Sequence, residues 1–279
     1  MGMQGDKSLL RVLEEDQPDR LAEAALLLAG EVQPGLDIYA YLQQLQLYAV
    51  DIGERLPPSA RLGDVLFHLN NYLFNDCGFS ADNSQSRCIE LNYLHRVIDT
   101  RCGAPLSMAI IYLTVGRWLG LQLRGVFFPG RILVAYRDED GEVVMDPADG
   151  GLSLQDADLE SLLSHACAHN QVPSQQLRRF LATCDDKTLL VRMLRHLKQA
   201  YLSQGELQNA LWALQKTLEL VPELASGFRE RGKLYELLDC SYAAAMDYRH
   251  YLELLPDAND AAVLRERLPE LLRTPITLH

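Results

Sequence analysis

The sequence lacks several features that would assign it to a membrane, secreted or nucleic-acid-binding class. It has no run of the roughly 18 apolar residues that a membrane span needs, and its N-terminus lacks the charged, apolar and small-residue order of a secretion signal. Basic residues are in the minority, with 26 Lys and Arg against 38 Asp and Glu, so the formal charge is −12. We therefore expect a cytosolic protein that binds neither nucleic acid nor membranes.

Closely spaced cysteine pairs are also missing. The six cysteines are scattered, at residues 77, 88, 102, 167, 184 and 240. In a reducing compartment we expect them to be free thiols. His165, Cys167 and His169 lie close in sequence, but residues two apart on a helix point to different faces. We therefore predict no metal site there and no cofactor.

In the first part of the chain, apolar residues are spaced as they are in amphipathic helices. After a polar segment at 1–16, which we expect to be loosely ordered, apolar residues recur at helical intervals in four stretches. The predicted helices are 21–29, 37–56, 62–74 and 91–99. Pro57-Pro58 ends the second of them, and a polar loop at 78–87 precedes the fourth.

The central part, from Gly103 to Gly151, combines one helix with short strands. Pro105 suits the first turn of a helix that runs to Trp118, with Leu106, Ala109, Ile110 and Leu113 on one face and Gly120 after its end. Strands are predicted at 126–128, 132–136 and 143–145, and the last two flank a polar turn. Residues 17–184 therefore read as one α+β domain.

The last part, 185–279, contains a repeat with a period of 34 residues. Tyr201, Ala210 and Pro222 recur as Tyr235, Ala244 and Pro256. A period of 34 with these residue types is the signature of tetratricopeptide repeats (TPRs), which are helical hairpins. The sequence predicts two all-α repeats and a capping helix at 260–272.

The order of helix start, strand and strand ending in Asp-Pro resembles the transglutaminase-like core, which is papain-like. In that core Cys lies at the helix start, His at the start of the first strand and Asp at the end of the second strand. Gly103, Ala109 and Gly120 match its spacing, and Asp146 with Pro147 matches the aspartate position. The nucleophile position, however, is Pro105, and the histidine position is Arg131. Because arginine stays protonated, it is no general base. The resemblance therefore implies a degenerate core.

Neighbouring residues offer an alternative chemistry. Ser107 lies in the first turn of the predicted helix, where backbone N–H groups favour negative charge, and Cys102 lies just upstream. A cysteine or serine acyl-transferase or amidohydrolase would use one of them with Asp146. We favour structural roles: Ser107 packs at the helix start, Cys102 is inert, and Arg131 pairs with Asp146. Binding of a small anion by Arg131 at the helix start is a third option.

The motifs together resemble the bacterial SirB-type family. They are Gly-x-Pro-x-Ser, Phe-Pro-Gly and Asp-Pro-x-x-Gly-Gly, followed by two TPR-like repeats, and the resemblance runs from Gln33 to the C-terminus. Many members of that family carry His after Pro-Gly, where this chain has Arg131. The family implies a transglutaminase-like domain followed by TPRs, and it leaves the activity open.

The repeats also predict an interaction surface. In a TPR the concave surface is lined by positions two, five and nine of the first helix of each repeat. Counted back from Pro222 and Pro256, these positions hold Arg192, Arg195, Gln199, Ser226, Arg229 and Lys233. We expect a clamp for an acidic peptide or a C-terminal carboxylate. The alternative is that these side chains pair with acids of the chain itself, such as Asp185, Asp186 and Glu230, or are simply solvated. The favoured function is a non-catalytic adaptor whose protein partner is unidentified.

Overall fold

The computed structural model describes residues 8–82, 88–137, 141–166 and 177–273. The chain divides into two compact units, 1–193 and 194–279, and the division falls inside the helix Asp186–Ser203. The domain boundary that the sequence predicts after residue 184 stays a prediction.

The first unit begins with a series of helices. They are α1 (Leu9–Glu14), α2 (Arg20–Val32), α3 (Ile38–Arg55), α4 (Leu62–Asn70), which continues as a π-helical turn at Asn71–Asp76, and α5 (Leu94–Thr100). The predicted helices are confirmed with shifts of a few residues. Asp37 caps α3 by accepting a hydrogen bond from the Ala40 backbone N–H at 3.1 Å, and Pro57-Pro58 follows the end of α3.

The loose order expected for residues 1–16 is wrong for part of that segment. Helix α1 forms within it, and Leu9 and Val12 on this helix are buried. These two apolar side chains lie three residues apart and share one face of the helix. That short amphipathic pattern was hidden in a segment that is polar on average.

Helix α6 (Pro105–Trp118) is the centre of the first unit. Every residue from Leu106 to Gly116 is buried, so the helix is covered on all sides rather than on the single face that its apolar spacing suggested. It contacts α2, α3 and two strands of the sheet. A helix that is apolar all round is expected only in the interior of a domain. Gly120, with φ of +85°, follows its C-terminus as predicted.

A five-stranded antiparallel sheet packs against α6. Its strands are β3 (Leu123–Phe128), β4 (Arg131–Arg137), β5 (Glu142–Asp146), β6 (Leu152–Leu154) and β7 (Thr183–Cys184), in the order β6-β5-β4-β3-β7. The predicted hairpin is confirmed as β4–β5, with Val134 opposite Met145. Strands β1 (Ser80–Ala81) and β2 (Cys102–Gly103) form a separate parallel pair. Helix α7 (Asp156–Ala166) contributes Leu159 and Leu163 to the apolar cluster of the sheet.

The second unit consists of helical hairpins. After α8 (Asp186–Ser203) come α9 (Leu207–Leu220), α10 (Ala225–Leu237), α11 (Ser241–Leu254) and α12 (Ala261–Arg273). Helix α12 confirms the predicted capping helix. Ala244 and Ala245 are fully buried, and a Cβ added at Gly232 would lie 2.5 Å from the ring of Tyr248. Small residues thus let α10 and α11 approach closely around buried aromatic rings.

Two ion pairs fix the hairpins of this unit. The Arg231 guanidinium on α10 donates to both carboxylate oxygens of Asp247 on α11, at 2.7 and 2.8 Å. Glu236 on α10 accepts a hydrogen bond from the Tyr248 hydroxyl at 2.5 Å and is also paired with Arg267 on α12. Such two-pronged, partly buried pairs specify geometry more than they add stability.

In the part of the chain that the structure describes, no helix has the length and apolar character required to cross a membrane.

The tight packing around α6 gives a test. A Cβ added at Gly116 would lie 2.3 Å from Leu123 Cδ1, and both residues are buried. We expect Gly116→Ala to lower the free energy of unfolding by about 1–3 kcal/mol, because overpacking displaces neighbours. At Gly53 in α3 nothing lies within 4 Å of an added Cβ. Gly53→Ala should therefore raise the free energy of unfolding by about 0.5–1 kcal/mol. Denaturant unfolding of both variants measures the two effects, and effects of the same sign would contradict the packing argument.

Candidate functional site

The start of α6 is held by hydrogen bonds to the backbone. Pro105 is its first residue, and the Ser107 side chain in the same turn is buried. The Ser107 hydroxyl donates to the carbonyl of Leu91 at 3.0 Å, and the Ala104 backbone N–H donates to the same carbonyl at 2.8 Å. The hydroxyl therefore anchors the helix start to the turn before α5, the packing role that the sequence favoured.

Cys102 and Gly103 form β2, immediately before this helix. Cys102 is half-buried and lies opposite Ser80 in the parallel pair, while the Thr100 hydroxyl donates to the Cys102 carbonyl at 3.2 Å. A Cβ at Gly103 would lie 2.6 Å from Val97. The glycine before the nucleophile position is therefore required here for close packing of the chain against α5.

Arg131 and Asp146 form the predicted ion pair. Arg131 begins β4 and Asp146 ends β5; the Asp146 carboxylate is 1% exposed, whereas the Arg131 side chain is 36% exposed. Asp146 also accepts a hydrogen bond from the Ala148 backbone N–H at 2.9 Å. Burial raises the pKa of Asp146, and the hydrogen bond and charge of Arg131 offset this only in part. Arginine thus occupies the place where an imidazole would act as a base.

The segment after Asp146 explains the Asp-Pro-x-x-Gly-Gly motif. Gly150 and Gly151 both have positive φ, at +67° and +71°, which glycine adopts readily. The Gly151 carbonyl accepts from Asn70 Nδ2 at 2.8 Å, and Asn70 Oδ1 accepts from the Tyr112 hydroxyl at 2.8 Å. A Cβ at Gly151 would lie 2.2 Å from Asn70 Oδ1. Sequence reasoning missed Asn70 and Tyr112, although each is a polar residue within an apolar helical stretch.

A buried imidazole exists elsewhere in the first unit. His95 on α5 is 4% exposed, and its Nε2 lies 3.0 Å from Gln33 Oε1. Burial lowers the pKa of His95, so the neutral ring is favoured. Among the described residues, none of its hydrogen bonds reaches Cys102, Ser107 or Asp146. His95 is therefore engaged by Gln33 rather than by a candidate catalytic group.

No group of three His, Cys, Asp or Glu side chains that could hold a metal ion occurs among the described residues. Of the segment considered for a metal, Cys167 and His169 lie outside the described residues. His165 Nδ1 lies 2.7 Å from the Ser161 carbonyl.

The predicted peptide surface is partly used within the protein. Arg192 belongs to the first unit, and its guanidinium lies over the Phe127 ring, 4.8 Å from the ring centroid. It is therefore not part of the peptide surface of the second unit. Arg229 is paired with Asp260, which also accepts from the Tyr251 hydroxyl at 2.9 Å. The acids named as alternative partners bind other residues. Asp185 accepts a hydrogen bond from the Thr188 backbone N–H at the start of α8. Asp186 binds Arg20 and Arg117, and Glu230 pairs with Lys198.

Four positions of the surface are exposed in the second unit. They are Arg195 and Gln199 on α8 and Ser226 and Lys233 on α10. We call these four residues the A-helix face. Neither cation of this face has a hydrogen bond or ion pair to another described residue. Both are therefore available to a ligand, in a chain whose formal charge is −12.

Comparison with known proteins agrees with both parts of the fold. A model of the transglutaminase-like superfamily matches residues 39–195, and a tetratricopeptide repeat model matches residues 197–269. The fold is therefore a transglutaminase-like α+β domain followed by helical repeats of a type that generally mediates protein–protein interaction. This architecture is that of an interaction-type protein.

Relatives specify the family. A UPF0162 protein of Xylella fastidiosa is 32% identical over 95% of this chain and 94% of its own length, and one of Pseudomonas aeruginosa is 31% identical over 91% and 92%. Protein SirB1 of Salmonella typhimurium is 24% identical over 74% of this chain and 76% of its own length. The chain belongs to the transglutaminase-like superfamily and, within it, to the SirB-type family.

Among solved structures, menin is similar to this chain with a TM-score of 0.40 and 11% identity, over 95% of this chain and 75% of the menin chain. Likeness at this level establishes neither fold nor function.

The Arg131–Asp146 pair gives a second test. Arg131→Met would leave a buried carboxylate without its cation, which costs about 1–3 kcal/mol of unfolding free energy for a partly screened pair. Without the cation the pKa of Asp146 should rise further. The loss of unfolding free energy is therefore complete at a pH above this raised pKa. It fades as the pH falls through it, because the protonated carboxyl no longer needs the cation. Denaturant unfolding at about pH 7.5 and about pH 4.5 measures this difference.

Arg137→Met is the matched control for this test. Arg137 lies on the same strand and pairs with Glu142, but its side chain is 64% exposed. We expect a loss of less than about 0.5 kcal/mol with little pH dependence. An equal loss in both variants would show that burial of Asp146 does not govern the effect.

Proposed function

We propose that this protein is a non-catalytic cytosolic adaptor. In this proposal the transglutaminase-like unit is a structural scaffold, and the repeat unit binds an acidic segment of a partner protein through the A-helix face. The observation that carries the proposal is that proline and arginine stand at the positions matching the nucleophile and the histidine, and that Arg131 is paired with Asp146.

The first support is the state of the candidate catalytic groups. A nucleophile must be paired with a base that takes its proton. Ser107 instead donates to a backbone carbonyl, and the Asp146 carboxylate is occupied by Arg131. Catalysis by Ser107 together with Asp146 would require both contacts to break first.

The second support is the charge of the A-helix face. Arg195 and Lys233 are exposed cations on successive first helices of the repeats, and Gln199 and Ser226 add hydrogen-bonding groups beside them. Guanidinium and ammonium groups bind carboxylates through charge-assisted hydrogen bonds. An acidic peptide is the ligand whose charge complements this face.

Charge reversal of the face tests the proposal. We expect Arg195→Glu with Lys233→Glu to weaken binding of a fluorescein-labelled acidic peptide at least tenfold, because two charge-assisted contacts are each replaced by repulsion. Fluorescence anisotropy measures the affinity. Arg229 is left unchanged, because its substitution would also break the pair with Asp260.

Arg249→Glu with Arg273→Glu is the control, since it makes the same change in charge at two exposed positions outside the face. Equal weakening by both double variants would reduce the effect to net charge and contradict a specific face. The same peptide with an amidated C-terminus separates recognition of the terminal carboxylate from recognition of acidic side chains.

Thiol reactivity tests the enzymatic alternative. Cys102 is half-buried, whereas Cys240 is exposed. A non-catalytic protein should therefore be alkylated by iodoacetamide at Cys240 before Cys102, because access limits the reaction. Peptide mass spectrometry over a time course measures both rates in one sample. Faster and selective labelling of Cys102 would favour the cysteine acyl-transferase or amidohydrolase.

A further inference from the structure

A cavity of about 140 Å³ lies in the first unit, at the ends of α2, α6 and β3. Its lining includes three arginines, Arg20, Arg117 and Arg124, together with Gln17, Gln122 and one acid, Asp16. Three cations at one cavity are unusual in a chain with a formal charge of −12. None of these residues belongs to the candidate site or to the A-helix face.

Two of the three arginines at this cavity share one buried acid, Asp186. Asp186, which is 4% exposed, binds both Arg117, which is 10% exposed, and Arg20, which is 21% exposed. Burial alone would raise the pKa of Asp186, but the hydrogen bonds and charges of Arg117 and Arg20 outweigh it, so the pKa lies below its ordinary value. One ionised carboxylate thus faces two guanidinium groups.

The other nearby acid compensates this excess poorly. The Asp16 carboxylate lies 3.7 Å from Arg20 Nη1, but its side chain is fully exposed. Water and salt therefore screen its charge. The three arginines thus outnumber the two nearby carboxylates, and a bound anion would offset the remaining positive charge.

Hydrogen-bond donors remain available around the cavity. Arg20 donates through Nε to Asp186 and through Nη1 to the Glu15 carbonyl, which leaves Nη2 without a partner among the described residues. Arg124 is exposed on β3, and its guanidinium has no partner in the described ranges. Arg20 and Arg124 therefore retain donors for an oxyanion, and Gln17 and Gln122 in the same lining carry further amide donors.

We propose that this cavity binds a small phosphate-type anion, either inorganic phosphate or a phosphate monoester. Guanidinium groups match phosphate oxygens in geometry as well as in charge. A volume of about 140 Å³ accommodates the ion and leaves room for a small ester group. Arg20 lies far from Arg117 and Arg124 in the sequence, so the site forms only when the first unit is folded.

Isothermal titration of the full chain with inorganic phosphate tests this site, with chloride at equal ionic strength as the reference. We expect saturable binding to the wild-type chain. Arg124→Gln removes a cation that does not touch Asp186, and it should weaken binding about tenfold while the fold is retained. Arg249→Gln, which removes an exposed cation outside the cavity, should leave the affinity unchanged.

Asp186→Asn provides an independent readout. This substitution removes the negative charge beside Arg20 and Arg117. Phosphate should therefore raise the melting temperature of the variant by more than that of the wild-type chain. Glycerol phosphate in parallel distinguishes the two sources: tighter binding of it supports an ester ligand, and equal binding supports the free ion. No binding beyond chloride, or equal affinities of wild type and Arg124→Gln, would overturn the proposal.

Discussion

The complete burial of α6 is the constraint on which the first unit depends. A helix with apolar residues on every face must be covered by other elements, and here α2, α3 and the sheet do so. The close contacts at Gly116 and Gly103 follow from that coverage, since neither position has room for a Cβ. The helix start is held equally firmly, because Ser107 is bonded to the Leu91 carbonyl. The scaffold therefore persists without the nucleophile that the same helix start carries in a catalytic core.

The motifs that suggested an enzyme are explained by structural contacts. Asp146 is bound by Arg131, and the two glycines of Asp-Pro-x-x-Gly-Gly turn the chain so that Asn70 can reach the Gly151 carbonyl. Ion pairing and backbone geometry can thus account for residues that resemble a triad. In the second unit, Arg231–Asp247 and Glu236–Arg267 likewise fix the hairpins, while Arg195 and Lys233 remain exposed. This division of charged residues into paired and exposed sets supports the interaction surface that we propose.

Local patterns in the sequence predicted most of the fold. Helical spacing, the proline breaks and the polar turn gave helices α2 to α6 and the β4–β5 hairpin, and the 34-residue offset gave the repeats. Edge strands β6 and β7 were missed because each has only two or three residues, too few for an alternating pattern. Helix α1 was missed because Leu9 and Val12 lie in a segment that is polar overall.

The sequence by itself determined the class of each domain and the residue types at the positions that match the triad, because proline has no nucleophilic side chain and arginine stays protonated. Only the tertiary structure decided which charges are paired. Asp260 engages Arg229 from 31 residues away, Phe127 lies under Arg192, and Asp186 joins two arginines that are 166 and 69 residues distant. Charge pairing depends on distances of a few ångströms between elements far apart in the chain, and a sequence pattern carries no such distances.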